Sequence, residues 1–129
     1  DQSLLKKDLS KIVKKSTEII ISVCKQCGNN FLPLIFQTKN MKNALSLLND
    51  DEEQFAFDTD AEKYFDYDEL DNKSSTTIIT GPESGFSDEE LKLINNNKIK
   101  IRYLGQNILR AETAPIFVSS IIRNQFGRI

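Results

Sequence analysis

Residues 76–90 read TTIITGPESGFSDEE, and this stretch decides the fold. The β-branched run from Thr76 to Thr80 predicts a strand, and the two glycines and the proline that follow predict a tight turn. Ser87, with Glu90 three residues later, forms a capping-box pattern and so predicts the start of a helix. A strand that passes through a short turn into a helix is the repeating unit of α/β proteins with a parallel sheet.

Helices and strands alternate on both sides of this unit. We predict helices over residues 4–27, 40–48, 87–97 and 112–126. We predict strands over residues 55–57, 76–80 and 98–104, and a short, largely buried strand or extended segment over 31–36. Strands that alternate with helices predict an α/β fold whose parallel sheet is covered by helices on both faces.

The composition is that of one soluble globular domain. The 129 residues are 39% hydrophobic and 28% charged, which is unlike a disordered tail and sufficient for a real core. No apolar run approaches the ~20 residues of a membrane span, and the first residues do not form a signal peptide. We therefore expect a cytoplasmic protein without a membrane partner.

The chain contains no histidine and two cysteines, Cys24 and Cys27. A histidine general base, a Ser-His-Asp triad and a Cys-His pair are therefore excluded within this chain. A zinc site needs about four ligands, so a single Cys-x-x-Cys pair predicts no metal. Redox pairs of this spacing usually lie at a helix N-terminus, whereas this pair lies at the predicted end of a long helix. We interpret the two cysteines as structural free thiols, with a redox role as the alternative.

Charge is distributed unevenly along the chain, although the net charge is only −2. Residues 1–30 carry +3, residues 50–71 carry −10 and residues 92–129 carry +6. Opposed basic and acidic stretches are compatible with nucleic-acid binding; the alternative is an acidic solvated loop and an ordinary basic surface. Because acidic side chains repel phosphates, we predict that residues 50–71 face away from any RNA.

Two loops follow predicted strands, where open α/β sheets bind their ligands. The loop over 81–86 lacks the Gly-Lys-Ser/Thr ending of a P-loop and the three-glycine dinucleotide fingerprint. Glu83 would also repel a phosphate, so a ligand with a positive centre, or one held by backbone atoms, suits this loop better. The loop over 104–114 combines a glycine break, an apolar pair and Arg110 ahead of a helix. The structural alternative is that Arg110 and Glu112 simply pair at that helix start.

Three motifs resemble one enzyme family. GPESGFS at 81–87 resembles the GPEGGFS motif of the RsmE family, and LGQNILRAETA at 104–114 resembles its second motif, LGxxILRxETA. SVCKQCGNN at 22–30 is similar to a helix of that family that ends in EQCGRN. These enzymes methylate the N(3) position of a uridine in small-subunit (16S) ribosomal RNA and use S-adenosylmethionine. The resemblance spans nearly the whole chain and implies the same activity here.

The chain departs from the family pattern at three places. Ser84 replaces the second glycine of the first motif, which would shift that loop if the position needs a positive φ. Pro115 stands where the family has a small residue, although proline is tolerated in a first helical turn. The family's ligand loop often reads Leu-His-Pro-Glu, whereas residues 57–60 read FDTD and lack the histidine.

The resemblance implies a SPOUT-type α/β domain, a parallel sheet flanked by helices with a C-terminal trefoil knot. Residues 1–129 would be the C-terminal part of that methyltransferase domain, and the family's N-terminal β-barrel domain would be absent from this chain. A homodimer is also implied, since such enzymes bury the last helix against a partner. The apolar residues that could serve both the core and that interface are Ile116, Phe117, Ile121, Ile122 and Phe126.

The resemblance also implies which residues form the site. The matching cofactor-binding positions are Phe57, Ile79, Gly81, Pro82, Leu104, Gly105, Ile108, Leu109 and Thr113, with Asp58 approaching beside Phe57. A uracil nitrogen must lose its proton before it attacks a methyl group, so Glu83 and Glu112 are candidates to take that proton or to contact the sulfonium. Arg110 is a candidate to stabilise negative charge on the base or to orient a phosphate; alternatively, Arg110 and Glu112 cap the last helix.

Two other functions stay open. The first is a non-catalytic RNA- or cofactor-binding knotted domain, which Ser84 and the missing barrel favour. The second is a generic α/β domain that binds another anionic small molecule.

Overall fold

The computed structural model describes residues 9–49, 53–70 and 75–125. The chain separates into two compact units, with the division between Lys39 and Asn40. None of the helices in these three ranges has both the length and the apolar character that crossing a bilayer requires.

The first unit contains one long helix, α1 (Leu9–Cys27), and a following irregular segment. The helix ends as predicted at Gly28, whose φ of 74° is the left-handed conformation that commonly terminates a helix. The Asn29 N–H donates to the carbonyl of Cys24 at 3.0 Å, which closes the last turn. Residues 4–8 of the predicted helix lie outside the described residues.

For the segment over 31–36, expected to be a short, largely buried strand or an extended segment that Pro33 sends to an edge or a bend, the strand and the burial are wrong. No strand forms there, and the side chains of Phe31, Leu34 and Phe36 are 84%, 78% and 75% exposed. Pro33 lies in the middle of the segment and has no N–H to donate to a sheet ladder, so the chain cannot continue as a regular strand.

The second unit carries the remaining elements. The elements predicted over 76–80 and 87–97 have close to the predicted bounds, whereas those predicted over 40–48 and 98–104 are shorter than expected. Phe126 of the last predicted helix lies outside the described residues. Its helices are α2 (Met41–Leu45), α3 (Asp88–Asn96) and α4 (Thr113–Gln125), with a short 3₁₀ helix at Tyr67–Glu69. Its strands are β1 (Glu53–Phe57), β2 (Thr76–Thr80) and β3 (Lys100–Arg102). The predicted capping box is confirmed, because the Glu90 N–H donates to Ser87 Oγ at 3.2 Å and the Ser87 N–H donates to Glu90 Oε2 at 2.8 Å.

The three strands form one parallel sheet in the order β2-β1-β3. β1 lies in the centre, with Ala56 opposite Ile79 on one side and Ile101 on the other. The prediction of an α/β fold with a parallel sheet is confirmed. The sheet order means that the chain leaves β3 at one edge and that α4 then packs near β2 at the other.

Two hydrophobic clusters cover the two faces of the sheet. Side chains alternate along a strand, so Phe55 and Phe57 point to one face and Ala56 to the other. The first face packs against Val118 of α4 and Phe65. The second face packs against Leu45 of α2 and against α3 through Ile94. Coverage of both faces is what the strand–helix alternation predicted.

The acidic stretch over 50–71 is more than a solvated loop, because part of it is the central strand. After β1 the chain folds back along β3, where the Tyr103 N–H donates to the carbonyl of Lys63 and the Phe65 N–H donates to the carbonyl of Tyr103, both at 2.9 Å. Two of its carboxylates form ion pairs with β3. Glu53 lies 3.5 Å from the Lys100 ammonium, and Glu69 lies 2.6 Å from the Arg102 guanidinium.

Candidate functional site

One pocket lies where the carboxyl ends of the three strands meet. Loops from neighbouring parallel strands converge at such an edge. The lining residues are Phe57, Asp58 and Thr59 after β1, Thr80, Gly81, Pro82, Glu83 and Gly85 after β2, and Leu104, Gly105, Asn107, Ile108, Leu109, Ala111 and Ala114 after β3. The two loops that the sequence singled out therefore form opposite walls of the same pocket.

Most of the residues predicted to bind a cofactor line this pocket, namely Phe57, Gly81, Pro82, Leu104, Gly105, Ile108 and Leu109. Ile79 and Thr113 do not line it. The Ile79 side chain packs against the cluster of Ala56 and Ile94, because strand alternation turns it to the face that α3 covers. Thr113 begins α4, and its N–H donates to the carbonyl of Arg110 at 2.9 Å.

Of the three predicted catalytic residues, one lines the pocket and two do not. Glu83 lines the pocket, whereas Arg110 and Glu112 are exposed and outside its lining. The structural alternative, a pairing of Arg110 with Glu112, does not form, since neither side chain makes an ion pair with a residue in the described ranges. The contribution of Arg110 to the helix start comes from its carbonyl, which accepts the N–H groups of Thr113 and Ala114 at 2.9 and 3.1 Å.

The loop after β2 depends on its two glycines. A Cβ at Gly81 would lie 3.1 Å from the Phe86 ring, so a side chain at this position would require that ring to shift by a few tenths of an ångström. Gly85 has a φ of 80°, which other residues rarely adopt. Ser84 is different: among the described residues, Lys98 is the only non-glycine with a positive φ. Serine at position 84 therefore needs no unusual backbone, and this departure from the family motif does not strain the loop.

The loop after β3 is open at its glycine. An added Cβ at Gly105 would meet no atom within 4 Å, so the backbone there is exposed to whatever occupies the pocket. Pro115 lies in the first turn of α4, where a missing N–H costs no hydrogen bond.

The pocket is apolar and acidic. Its lining includes Phe57, Leu104, Ile108 and Leu109, and its ionisable side chains are Asp58 and Glu83, with no lysine or arginine among the described lining residues. Two carboxylates disfavour a phosphate and favour a ligand with a positive centre. Apolar walls next to accessible backbone amides suit a flat heterocycle.

The ion pair between Arg102 and Glu69 lies next to the start of the loop after β1. Arg102 donates from Nε to both carboxylate oxygens of Glu69 at 3.1 and 2.9 Å and from Nη2 at 2.6 Å. The hydrogen bonds from Arg102 hold the pKa of Glu69 below its ordinary value of 4.5, against the opposing effect of burial. The carbonyl of Arg102 accepts the N–H of Asp58 at 3.0 Å, so the same residue fixes Glu69 and the start of the pocket loop.

Sequence reasoning missed several lining residues, including Thr59, Thr80, Asn107 and Ala111. Asn107 and Ala111 lie within the second motif, whereas Thr59 follows β1 and Thr80 is the last residue of β2. Their positions at or after strand ends were the available signal, because residues at the carboxyl ends of parallel strands converge on one edge.

The two cysteines lie in different environments. Cys24 is buried, Cys27 is exposed, and both are free thiols. In the described ranges, no group of three or more His, Cys, Asp or Glu side chains is placed to hold a metal ion.

Comparison with known proteins identifies relatives of this chain. A model of the RNA methyltransferase domain matches residues 1–123. Ribosomal RNA small subunit methyltransferase E of Rickettsia conorii is 49% identical over 53 residues, which cover 40% of this chain and 22% of that protein. The protein of the same name from Mesomycoplasma hyopneumoniae is 32% identical over 111 residues, which cover 86% of this chain and 48% of that protein.

Two solved structures share the fold. Ribosomal RNA small subunit methyltransferase E of Neisseria gonorrhoeae, bound to S-adenosyl methionine, superposes with a TM-score of 0.78 at 23% identity over 89% of this chain and 48% of that one. A Legionella pneumophila protein in complex with bound cofactor SAM superposes with a TM-score of 0.78 at 30% identity over 92% of this chain and 50% of that one.

The match covers 48% of the Mesomycoplasma protein and 22% of the Rickettsia protein, so this chain spans about half or less of the length of these curated relatives. The family model nevertheless matches all but the last few residues of the chain, and two solved structures share its fold. The chain belongs to the RNA methyltransferase domain family.

Proposed function

We propose that this chain forms the cofactor-binding part of an S-adenosylmethionine-dependent enzyme that methylates a uridine ring nitrogen, N(3), in small-subunit ribosomal RNA. The observation that carries the proposal is the pocket at the strand ends, where the two motif loops face each other across an acidic, apolar space. Relatives named ribosomal RNA small subunit methyltransferase E support the reaction and the substrate class.

The residues of the pocket fit this cofactor. Its adenine needs apolar contact area and a few hydrogen bonds, which Leu104, Ile108 and Leu109 with the neighbouring backbone can provide. Its sulfur carries a positive charge, which suits a lining whose ionisable groups are both carboxylates. The full predicted set, including Ile79 and Thr113, forms the proposed cofactor-binding positions, since these two residues immediately precede Thr80 and Ala114, which line the pocket.

The reaction asks the protein for three things. The bound cofactor supplies a methyl group on a positively charged sulfur, which leaves as a neutral thioether after transfer to the uracil nitrogen. The chain must hold the reacting atoms in line, remove the proton of the uracil nitrogen and stabilise the negative charge that this leaves. The chain contains no histidine, so among the ionisable side chains that line its pocket the carboxylates are the candidates to accept the proton.

Glu83 is the proposed base, because it lines the pocket and is exposed to an incoming substrate. Arg110 and Glu112 lie at the turn before α4 and are exposed. Their free side chains suit contacts with RNA at the pocket entrance: Arg110 would orient a phosphate or stabilise the anionic base, and Glu112 is the second candidate for the proton.

The finer architecture belongs to the proposal as well. The chain passes from β3 at one edge of the sheet to α4, which packs against β1 and β2 beyond the pocket. This path supports the trefoil knot of a SPOUT-type domain, of which residues 1–129 would be the C-terminal part. On α4, Ile116 and Phe117 are 68% and 44% exposed, which supports a homodimer through this helix. A cytoplasmic location would follow from a ribosomal RNA substrate.

Calorimetric titration of the 129-residue chain with S-adenosylhomocysteine tests the cofactor site. A Cβ at Gly105 meets open space, so Gly105→Trp should fold normally while its indole fills the pocket. We expect saturable binding that Gly105→Trp weakens by at least about 100-fold, or about 2.8 kcal/mol. The matched control, Gly105→Ala, adds only a methyl group and should bind within about threefold of the wild type. Folded wild-type protein that binds nothing would contradict the proposal.

Incubation with labelled S-adenosylmethionine and small-subunit ribosomal RNA separates the catalytic function from the alternative. Transfer of label to a uridine, reduced by Glu83→Gln without loss of cofactor binding, is the expected result. Cofactor binding without transfer would favour the non-catalytic RNA- or cofactor-binding domain.

A further inference from the structure

Asp58 is a half-buried carboxylate in the wall of the pocket. Its side chain forms no hydrogen bond or ion pair with any residue that the structure describes. A carboxylate that is partly withdrawn from water and lacks a partner is costly unless a ligand offsets the loss. The lining around it contains no cation that could do so.

The surrounding backbone fixes this carboxylate in position. The Asp58 N–H donates to the carbonyl of Arg102 at 3.0 Å, and the Asp58 carbonyl accepts the N–H of Ala61 at 3.3 Å. On the other side, a Cβ at Gly85 would lie 3.3 Å from Asp58 Oδ1. The carboxylate is therefore held between the end of β1 and the glycine loop after β2.

We propose that Asp58 selects the charge of the cofactor. Its carboxylate attracts the positively charged sulfur of S-adenosylmethionine and gives no comparable attraction to the neutral thioether product. The product, S-adenosylhomocysteine, would then bind less tightly than the substrate and leave after transfer. This inference rests on the proposed function, because it assigns a role within the same pocket.

Titrations of the 129-residue chain with S-adenosylmethionine and with S-adenosylhomocysteine measure this selection. For the wild type we expect the charged compound to bind roughly tenfold more tightly. Asp58→Asn keeps the shape and removes the charge, so it should weaken the charged compound by roughly tenfold and leave the neutral one unchanged. Asp60→Asn is the matched control: the residue is exposed, lies on the same loop outside the pocket lining and carries the same charge. It should change neither affinity.

The ratio of the two affinities decides the outcome. If Asp58→Asn left the ratio of the two affinities unchanged, or weakened both compounds equally, the role of Asp58 would be overturned while the proposed function would stand. The wild type also provides a test without any variant, because equal or tighter binding of the neutral compound would overturn the charge selection. Failure of the folded wild type to bind either compound would overturn the proposed function together with this inference.

Discussion

Glu69 and Asp58 belong to the same acidic stretch of sequence, yet the structure treats them in opposite ways. Glu69 accepts three hydrogen-bond contacts from the Arg102 guanidinium, with distances between 2.6 and 3.1 Å. Asp58 lines the pocket and makes no side-chain contact of this kind with the described residues. Both carboxylates lie on the segment that folds back along β3.

The difference is one of partners. A carboxylate with a bidentate arginine stabilises the fold, whereas an unpaired carboxylate beside an open pocket is available to a ligand. Arg102 joins the two, because its side chain binds Glu69 and its carbonyl accepts the N–H of Asp58. We therefore expect loss of the paired charges to reduce stability and loss of the unpaired charge to affect binding.

The largest effect on stability is expected from Arg102→Met. The Arg102 and Glu69 side chains are 11% and 25% exposed, so the variant leaves a largely buried carboxylate without its partner. We expect the free energy of unfolding to fall by about 2 kcal/mol, measured by urea denaturation. The control is Asp58→Asn, which should change this free energy by less than ~0.5 kcal/mol. Equal destabilisation by Arg102→Met and Asp58→Asn would mean that the paired and the unpaired carboxylate do not differ in their contribution to stability.

A smaller effect is expected from acid. The hydrogen bonds from Arg102 lower the pKa of Glu69 in the folded protein, so the folded state binds this proton less readily than the unfolded chain does. The resulting stability is fully present above the ordinary pKa of 4.5 and is lost as the pH falls below it. At pH 7 the free energy of unfolding of the wild type should exceed that of Glu69→Gln by on the order of 1 kcal/mol, and this difference should shrink as the pH is lowered. A gap that stays constant from neutral to acidic pH would contradict the role of the pair.

Much of the fold followed from local sequence signals. Ser87 and Glu90 began a helix where the capping box predicted, and the β-branched run at Thr76–Thr80 is β2 with the predicted bounds. The helix start was predictable because hydrogen bonds between near neighbours in sequence decide it. The strand was predictable because β-branched residues favour extended backbone, although its ladder pairs with the distant β1. The strand predicted within 31–36 did not form because hydrophobicity alone does not specify which strand a segment pairs with. Pro33 also lacks the N–H that a strand residue donates to its neighbour.

The site was predicted in outline and missed in detail. The motif loops were recognisable because their glycines and apolar residues are local features. The separation of Ile79 from the pocket depended on the alternation of one strand, and the contrast between Glu69 and Asp58 depended on Arg102, far away in the chain. Charge counting treated residues 50–71 as one acidic block, whereas tertiary contacts give Glu69 and Asp58 different environments.

The smallest effect is expected from the second ion pair. Lys100 lies 3.5 Å from Glu53, and the two side chains are 43% and 9% exposed; its ammonium also lies 5.4 Å above the Phe55 ring. Glu53 is the more buried carboxylate, but its pair is a single 3.5 Å contact with a well-solvated lysine, whereas Arg102 makes three contacts of 2.6–3.1 Å. Lys100→Met should therefore lower the free energy of unfolding by only ~0.5–1 kcal/mol. Added salt should shrink this difference, since screening acts on exposed charges. Lys92→Met is the matched control, because Lys92 is exposed and has no ion pair within the described ranges. If Lys100→Met lowered the free energy of unfolding as much as Arg102→Met, the exposure of the lysine would not determine how much its ion pair contributes. The cost of leaving the buried Glu53 carboxylate unpaired would then determine the effect.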